Sequence, residues 1–325
     1  MKKRAVLPLL GAMILLILDS RCAAQSVRDS VNLCIQTLIP GLFPMFVISA
    51  MLVPHLSGIR IPGLARLLRV PEGSEGILIL GCAGGFPVGA ACIVQAVQSG
   101  GLGKSDAQRM LGICSFCGPA FLFGIIAPLF SIREAGLLFV IQLETALMIA
   151  AFRSSPSAGG VPARQTPTVS LGEALKRATA SLTCVCGWVL LASIVAGFLR
   201  RWLCPLLPQA AGAAMTGILE LTGGVFSLES VPSGELRFVL CALFVCFGGI
   251  SVLMQIGGLA ASASIPMGEC IGQKVLQGIL GAVLAAGVIS FGPVFLAAGL
   301  ILPAGKIAVE ISGKMVYNGP RKEGI

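Results

Sequence analysis

Charge is what this sequence has least of. Only 11% of its 325 residues are Asp, Glu, Lys or Arg, against about a quarter in soluble domains. With 56% hydrophobic residues and a mean hydropathy of +0.94, the chain has too little polar surface to face water on all sides. Histidine occurs once, as His55. A His-rich metal site or a Ser-His-Asp triad is therefore hard to assemble. The paired aspartates, H-E-x-x-H and nucleophile motifs of membrane-embedded enzymes are also missing. Period-2 alternation is missing too. The apolar residues come in unbroken blocks, which argues against an outer-membrane barrel. What remains is a polytopic helical membrane protein that is not an enzyme and needs no cofactor or metal.

Cysteine and glycine are plentiful, at 12 and 42 residues. Most cysteines lie in apolar segments (Cys34, Cys82, Cys92, Cys184, Cys186, Cys241 and Cys246), where they act as small hydrophobes. Cys114 and Cys117 form a C-x-x-C without a second pair or a neighbouring histidine. They read as packed thiols rather than a zinc or redox site. The net charge is +9. The basic residues sit mainly at segment ends and in loops, which fits the positive-inside rule rather than nucleic-acid binding. The expected partners are a lipid bilayer and a small-molecule solute, and no nucleic acid. A homo-oligomer is compatible with the sequence.

Along the chain, Lys2, Lys3 and Arg4 precede an apolar run over residues 5–18, ended by Asp19 to Arg21. Residues 1–27 read as an uncleaved membrane helix, with a cleavable signal as the alternative. Residues 28–152 form a first transmembrane repeat. It starts with an apolar segment at 31–53, kinked or broken by Pro40, Gly41 and Pro44. A short interfacial helix over 59–75, with Arg60, Arg66 and Arg69, follows. Further apolar segments lie at 77–98, 110–130 and 135–152. Residues 153–173, rich in Pro, Gly and Ser, read as a flexible cytoplasmic linker. Residues 174–312 form a second repeat, with segments at 182–199, 210–228, 236–260, 270–289 and 291–311, and 313–325 is a tail.

The arginines before residue 70 and the basic residues around the linker share one side only if 77–98 re-enters instead of crossing. A re-entrant hairpin is expected there, and the second half is expected to be inverted. The resulting fold class is an all-α polytopic membrane protein of two inverted repeats with re-entrant or broken helices. This leaves Lys314, Arg321 and Lys322 outside, unless 210–228 also crosses.

Two glycine breaks carry the functional reading. Gly84, Gly85, Pro87 and Gly89 interrupt one apolar segment, and Gly248 and Gly249 interrupt another, in what look like corresponding places of the two halves. Hydrocarbon cannot satisfy the backbone groups that such breaks expose, so they persist against protein or a polar cavity. N–H groups at the start of the following half-helix suit an anion. Close helix packing through Gly85 and Gly89 is the plain alternative. Ser251 and Gln255, four apart, share a helical face and offer a hydroxyl and an amide to a polar ligand. Ser115, Gly118 and Pro119 begin a further span and present a second helix start. Glu220, beside Thr222, and Glu144 are carboxylates in apolar surroundings, functional candidates by default. Glu220 is the better candidate for coupling or gating. Glu144 is expected to snorkel or to pair with Arg133 or Arg153.

Together these motifs resemble the sporulation integral membrane protein YlbJ family, also called stage V sporulation protein, in the nucleoside-recognition or Gate-domain superfamily. The matching pieces are residues 39–49, 84–90, 115–124, 219–224 and 247–255, and the likeness spans roughly 28–290. It implies an architecture similar to concentrative nucleoside transporters. It also implies transport of dipicolinate during spore formation, in a bacterial cell membrane, the outer forespore membrane in particular. Related sequences often carry asparagine near the S-F-x-x-G-P turn, where this chain has Cys114 and Cys117. A non-transporting membrane scaffold for sporulation and a nucleoside-type transporter are the alternatives.

Overall fold

Only a helix pairs all its own backbone groups along one membrane-crossing segment, so long apolar blocks fold as helices in lipid. The computed structural model describes residues 6–56, 59–61, 63–152 and 168–300, and among these there is no β-strand. In chain order the helices are α1 (Val6–Leu18), α2 (Ser20–Leu56), α3 (Leu64–Leu68), α4 (Glu75–Gly84), α5 (Val88–Gln98) and α6 (Lys104–Ile113). They continue as α7 (Pro119–Leu129), α8 (Ile132–Ala151), α9 (Leu171–Trp202), α10 (Gln209–Leu219) and α11 (Leu221–Ser227). The last are α12 (Gly234–Phe247), α13 (Gly249–Ala261), α14 (Gly268–Phe291) and α15 (Val294–Gly299). Five stretches among the described residues are long and apolar enough to cross a bilayer: α2, α8, α9 with its 3-10 extension, α12–α13 together, and α14. The chain is a multi-pass, all-α membrane protein.

Several expected elements take a different form. The helix α2 begins at Ser20, capped by Asp19, eight residues ahead of the expected repeat start. It does not break at Pro40 and Gly41. A π-helical turn over Cys34–Leu38 lies two residues before Pro40, and the helix runs on. Proline leaves a carbonyl without its usual partner, and a wide turn redistributes the bonds. A second π-turn, Leu122–Ile126, stands at the same offset before Pro128 in α7. The expected interfacial helix shrinks to the five residues of α3. Residues 153–167 of the expected linker and the C-terminal tail lie outside the described residues.

The first glycine break is a hairpin. A Cβ on Gly81 would lie 3.1 Å from the Cα of Gly89, whereas eight residues of straight helix span about 12 Å. So α4 and α5 fold back on each other. The helices α10 and α11 do the same: a Cβ on Gly224 would run into the Cα of Gly217. The element order then runs twice. A long helix (α2, α9) is followed by a hairpin (α4–α5, α10–α11), a broken pair (α6–α7, α12–α13) and a single span (α8, α14). Gly84 and Gly85 close the first hairpin, while Gly248 and Gly249 lie between α12 and α13, so the two glycine pairs stand in elements of different form. Glu220 stands at the turn of the second hairpin.

The long helices α2 and α9 are antiparallel. Asp19 at the start of α2 receives the Arg201 Nε at 2.7 Å and the Trp202 Nε1 at 3.1 Å from the end of α9. Farther along, Gly197 sits against Ser26. Buried side chains form two cores. One joins α2, α4, α5 and α6 to α9 and α13. The other joins α7 and α8 to α11, α12 and α14. Each core thus draws on both halves of the chain. On α1 the apolar side chains Leu9, Leu10, Met13, Ile14, Ile17 and Leu18 are all exposed, which suits a lipid-facing helix.

Candidate functional site

Between α6 and α7 the backbone leaves the helix over residues 115–118 and is buried, with Gly118 extended. Its N–H and C=O groups need partners from elsewhere. Gln142 on α8 supplies both halves of one solution. Its Nε2 donates to the Cys117 carbonyl at 2.8 Å, and its Oε1 accepts from the Cys117 N–H at 3.0 Å. Lys274 on α14 donates from Nζ to the Ser115 carbonyl at 3.0 Å and to Gln277 Oε1 at 2.7 Å. Gln277 Nε2 in turn donates to the Gly112 carbonyl at 3.2 Å. The break is therefore clamped by polar side chains from both halves.

The first hairpin is seated on this break. The Cys114 carbonyl lies where a Cβ on Gly81 or on Gly89 would sit, so only glycine fits at both positions. At the tip, Gly85 has φ +72°, and a Cβ there would lie 2.5 Å from the Gly118 nitrogen. Two tip amides are already committed: Gly85 N donates to the Gly81 carbonyl and Val88 N to the Gly85 carbonyl.

The second half repeats this contact with other residues. Glu220 has extended backbone at the α10–α11 turn and caps α11. Its carboxylate accepts from the Thr222 N–H at 2.9 Å and the Gly223 N–H at 2.6 Å. A Cβ on Gly223 would lie 3.0 Å from both Glu220 Oε2 and Arg200 Nη1, so this position too is closed to a larger side chain. Gly249 of the broken pair faces this turn. Its Cβ position is 3.3 Å from the Gly217 carbonyl and the Leu221 nitrogen.

A cavity of about 430 Å³ lies between these features. Gly84, Gly85, Gly118, Glu220, Thr222 and Gln255 all line it. Ser251 is buried behind the wall, where its hydroxyl accepts from Gln255 Nε2 at 3.2 Å. Gly248 meets the wall through Phe86, whose Cζ is 3.0 Å from its Cβ position. The other residues expected at a site, Pro87, Gly89, Ser115, Pro119 and Gly249, support the wall without lining it. Among the lining residues that the sequence reading missed are Gln36, Thr37, Phe86 and Cys117. Gln36 and Thr37 belong to the α2 π-turn, and Gly124 and Ile125 of the α7 π-turn line the cavity as well. The signal available in the sequence was a polar pair, Q-T, shortly before a proline in an apolar run.

Glu144 departs from expectation. Both carboxylate oxygens are buried and accept no hydrogen bond, so the pairing with Arg133 is not made, and Arg153, the other expected partner, lies outside the described residues. Cys114 and Cys117 are buried and are not joined by a disulfide. Among the described residues no three His, Cys, Asp or Glu side chains are grouped to hold a metal ion.

No family model matches the chain, and no solved structure matches it. Over 308 aligned positions it is 21% identical to the sporulation integral membrane protein YlbJ of Bacillus subtilis (strain 168), covering 80% of this chain and 76% of that protein. The chain is a multi-pass membrane protein distantly homologous to a sporulation-related membrane protein of that bacterium.

Proposed function

We propose that this chain is a transporter built from two inverted repeats that moves a small polar or anionic solute. The carrying observation is the cavity of about 430 Å³ enclosed by hairpin and break residues of both halves. Transporters place their sites between discontinuous helices of paired repeats. The element order that runs twice, and the antiparallel course of α2 and α9, support the inverted relation. Gln36, Thr37, Thr222 and Gln255 offer hydrogen bonds to the solute, and Ser251 orients Gln255. Glu220 gates, because the carboxylate that caps α11 also faces the cavity.

The relative's name supports a role in spore formation in a bacterial membrane, and the outer forespore membrane is the location proposed for it. Dipicolinate, a planar dicarboxylate, is the first solute to test. The test is uptake of radiolabelled dipicolinate into proteoliposomes, with a nucleoside control. Wild type is compared with Ser251→Ala/Gln255→Ala. Uptake that is lost in the double variant supports the reading. Uptake in both proteins alike removes these two residues from the site. A nucleoside carried in preference to dipicolinate makes the protein a nucleoside-type transporter. A folded protein that carries neither solute has another substrate or is a membrane scaffold, and a broader solute screen decides between these. The tight backbone packing at Gly81, Gly89 and Cys114 is the observation that favours this second reading.

A further inference from the structure

Lys274 is 1% exposed and lies within a membrane-spanning helix. An ammonium there is costly unless it is matched by strong partners. Its partners are the Ser115 carbonyl, the Gln277 amide oxygen, and the face of the Phe86 ring 4.9 Å away. All three are neutral. An ammonium has three donors. Two are taken by oxygens, and the ring supplies the remaining, weaker attraction.

Phe86 occupies a singular place. It stands at the tip of the α4–α5 hairpin, between Gly85 and Pro87, and lines the cavity. It packs against both cores. One ring therefore separates a buried cation from a solvent-sized space. On another wall of that space, Glu220 already has two amide donors. The carboxylate of Glu220 is thus occupied by its own helix start, while the positive charge of Lys274 meets only neutral partners.

We propose that Lys274 is the charge-selecting residue of the cavity, that a carboxylate of the solute is its ligand, and that Phe86 is the movable partition between them. The inference rests on the transport reading and names the solute class. A carboxylate is a stronger acceptor for an ammonium than an aromatic face. An entering anion therefore displaces the ring. That displacement moves the hairpin tip, because Phe86 belongs to it. It also strains the break, because Lys274 holds the Ser115 carbonyl. Solute charge and hairpin position are coupled through one side chain.

The test compares uptake of dipicolinate, picolinate and the neutral picolinamide by reconstituted wild type, Lys274→Gln, Lys274→Arg and Phe86→Leu. Wild type is expected to prefer the acids. In Lys274→Gln that preference should fall roughly ten- to a hundredfold, the weight of one charge-assisted hydrogen bond. Lys274→Arg should keep most of it. Phe86→Leu should lower the KM for the acids and leave that for picolinamide unchanged. A folded Lys274→Gln with the wild-type ratio of acid to amide overturns the inference and leaves the transport reading standing. A wild type that prefers the amide also overturns it. A wild type that carries none of the three overturns both. If Lys274→Gln does not fold, an unchanged KM for the acids in Phe86→Leu is sufficient to overturn the inference.

Discussion

At the residue scale, two side chains hold the breaks, and both can be weighed. Gln142 satisfies an N–H and a C=O that nothing else reaches. In Gln142→Leu both groups of Cys117 become buried and unpaired, at about 1–3 kcal/mol each. A clear drop in the thermal midpoint of the detergent-solubilised protein is expected. Gln142→Glu keeps the acceptor and loses the donor, so its midpoint should fall between the two. Glu220 has two duties in this structure, and one pair of variants separates them. Glu220→Ala removes a helix cap and should cost about 1–2 kcal/mol of stability. Glu220→Gln keeps an acceptor oxygen and should unfold near the wild-type temperature. If the carboxylate gates, Glu220→Gln still loses uptake. Normal uptake in a stable Glu220→Gln variant would reduce Glu220 to a cap.

The elements owe their shapes to small residues and prolines more than to polar ones. The hairpins close because glycine faces backbone: Gly81 and Gly89 around the Cys114 carbonyl, Gly217 against Gly224. Gly89→Ala and Gly224→Ala place a methyl group onto backbone that has no room to yield. Each should cost about 1–3 kcal/mol, as overpacked cores do. Gly272→Ala in α14 is the control, since nothing lies within 4 Å of its Cβ position. That variant should unfold at or slightly above the wild-type temperature, because alanine favours helix over glycine. A cost as large for Gly272→Ala as for Gly89→Ala would mean that helix propensity, not close approach, explains the hairpin glycines. The π-turns belong to this scale too. Each widens a helix just before a proline and turns its residues into the cavity.

In the whole molecule the halves are interleaved, and neither buries its own core. Contacts between them are therefore structural. Gln98 at the end of α5 donates to the Ser262 hydroxyl just past α13 at 3.3 Å. Both are exposed and distant in sequence. The pair Gln98→Cys/Ser262→Cys should react with a short bis-maleimide to give an intramolecular cross-link, identified by peptide mass spectrometry and absent from the single variants. Cross-linked protein should also lose uptake if transport moves one half against the other. The Asp19–Arg201 ion pair, by contrast, is open to water at the arginine end, with 59% of that side chain exposed. Asp19→Asn should shift stability by less than about 1 kcal/mol.

The sequence by itself determined the class of this protein. With so few charges in long apolar blocks, the chain can only be helical and membrane-embedded, because lipid satisfies no backbone group. It also marked the break at Gly84–Gly85, where glycine and proline stand together. It showed that residues around 118, 220 and 255 carry polarity into apolar surroundings. What only the tertiary structure decided is how these parts correspond and meet. The second hairpin turns on a capping carboxylate, whereas the second glycine pair stands between α12 and α13. Gln142, Lys274 and Gln277 looked like ordinary polar residues of a span. They hold the break because folding brings α8 and α14 against it from far along the chain. Phe86 was one apolar residue among many until the hairpin put its ring between a buried cation and the cavity. Local pattern fixes which segments are helices and where they can break. Which break faces which, and what side chain satisfies it, depends on contacts between residues from 25 to more than 150 positions apart, and no local pattern encodes those.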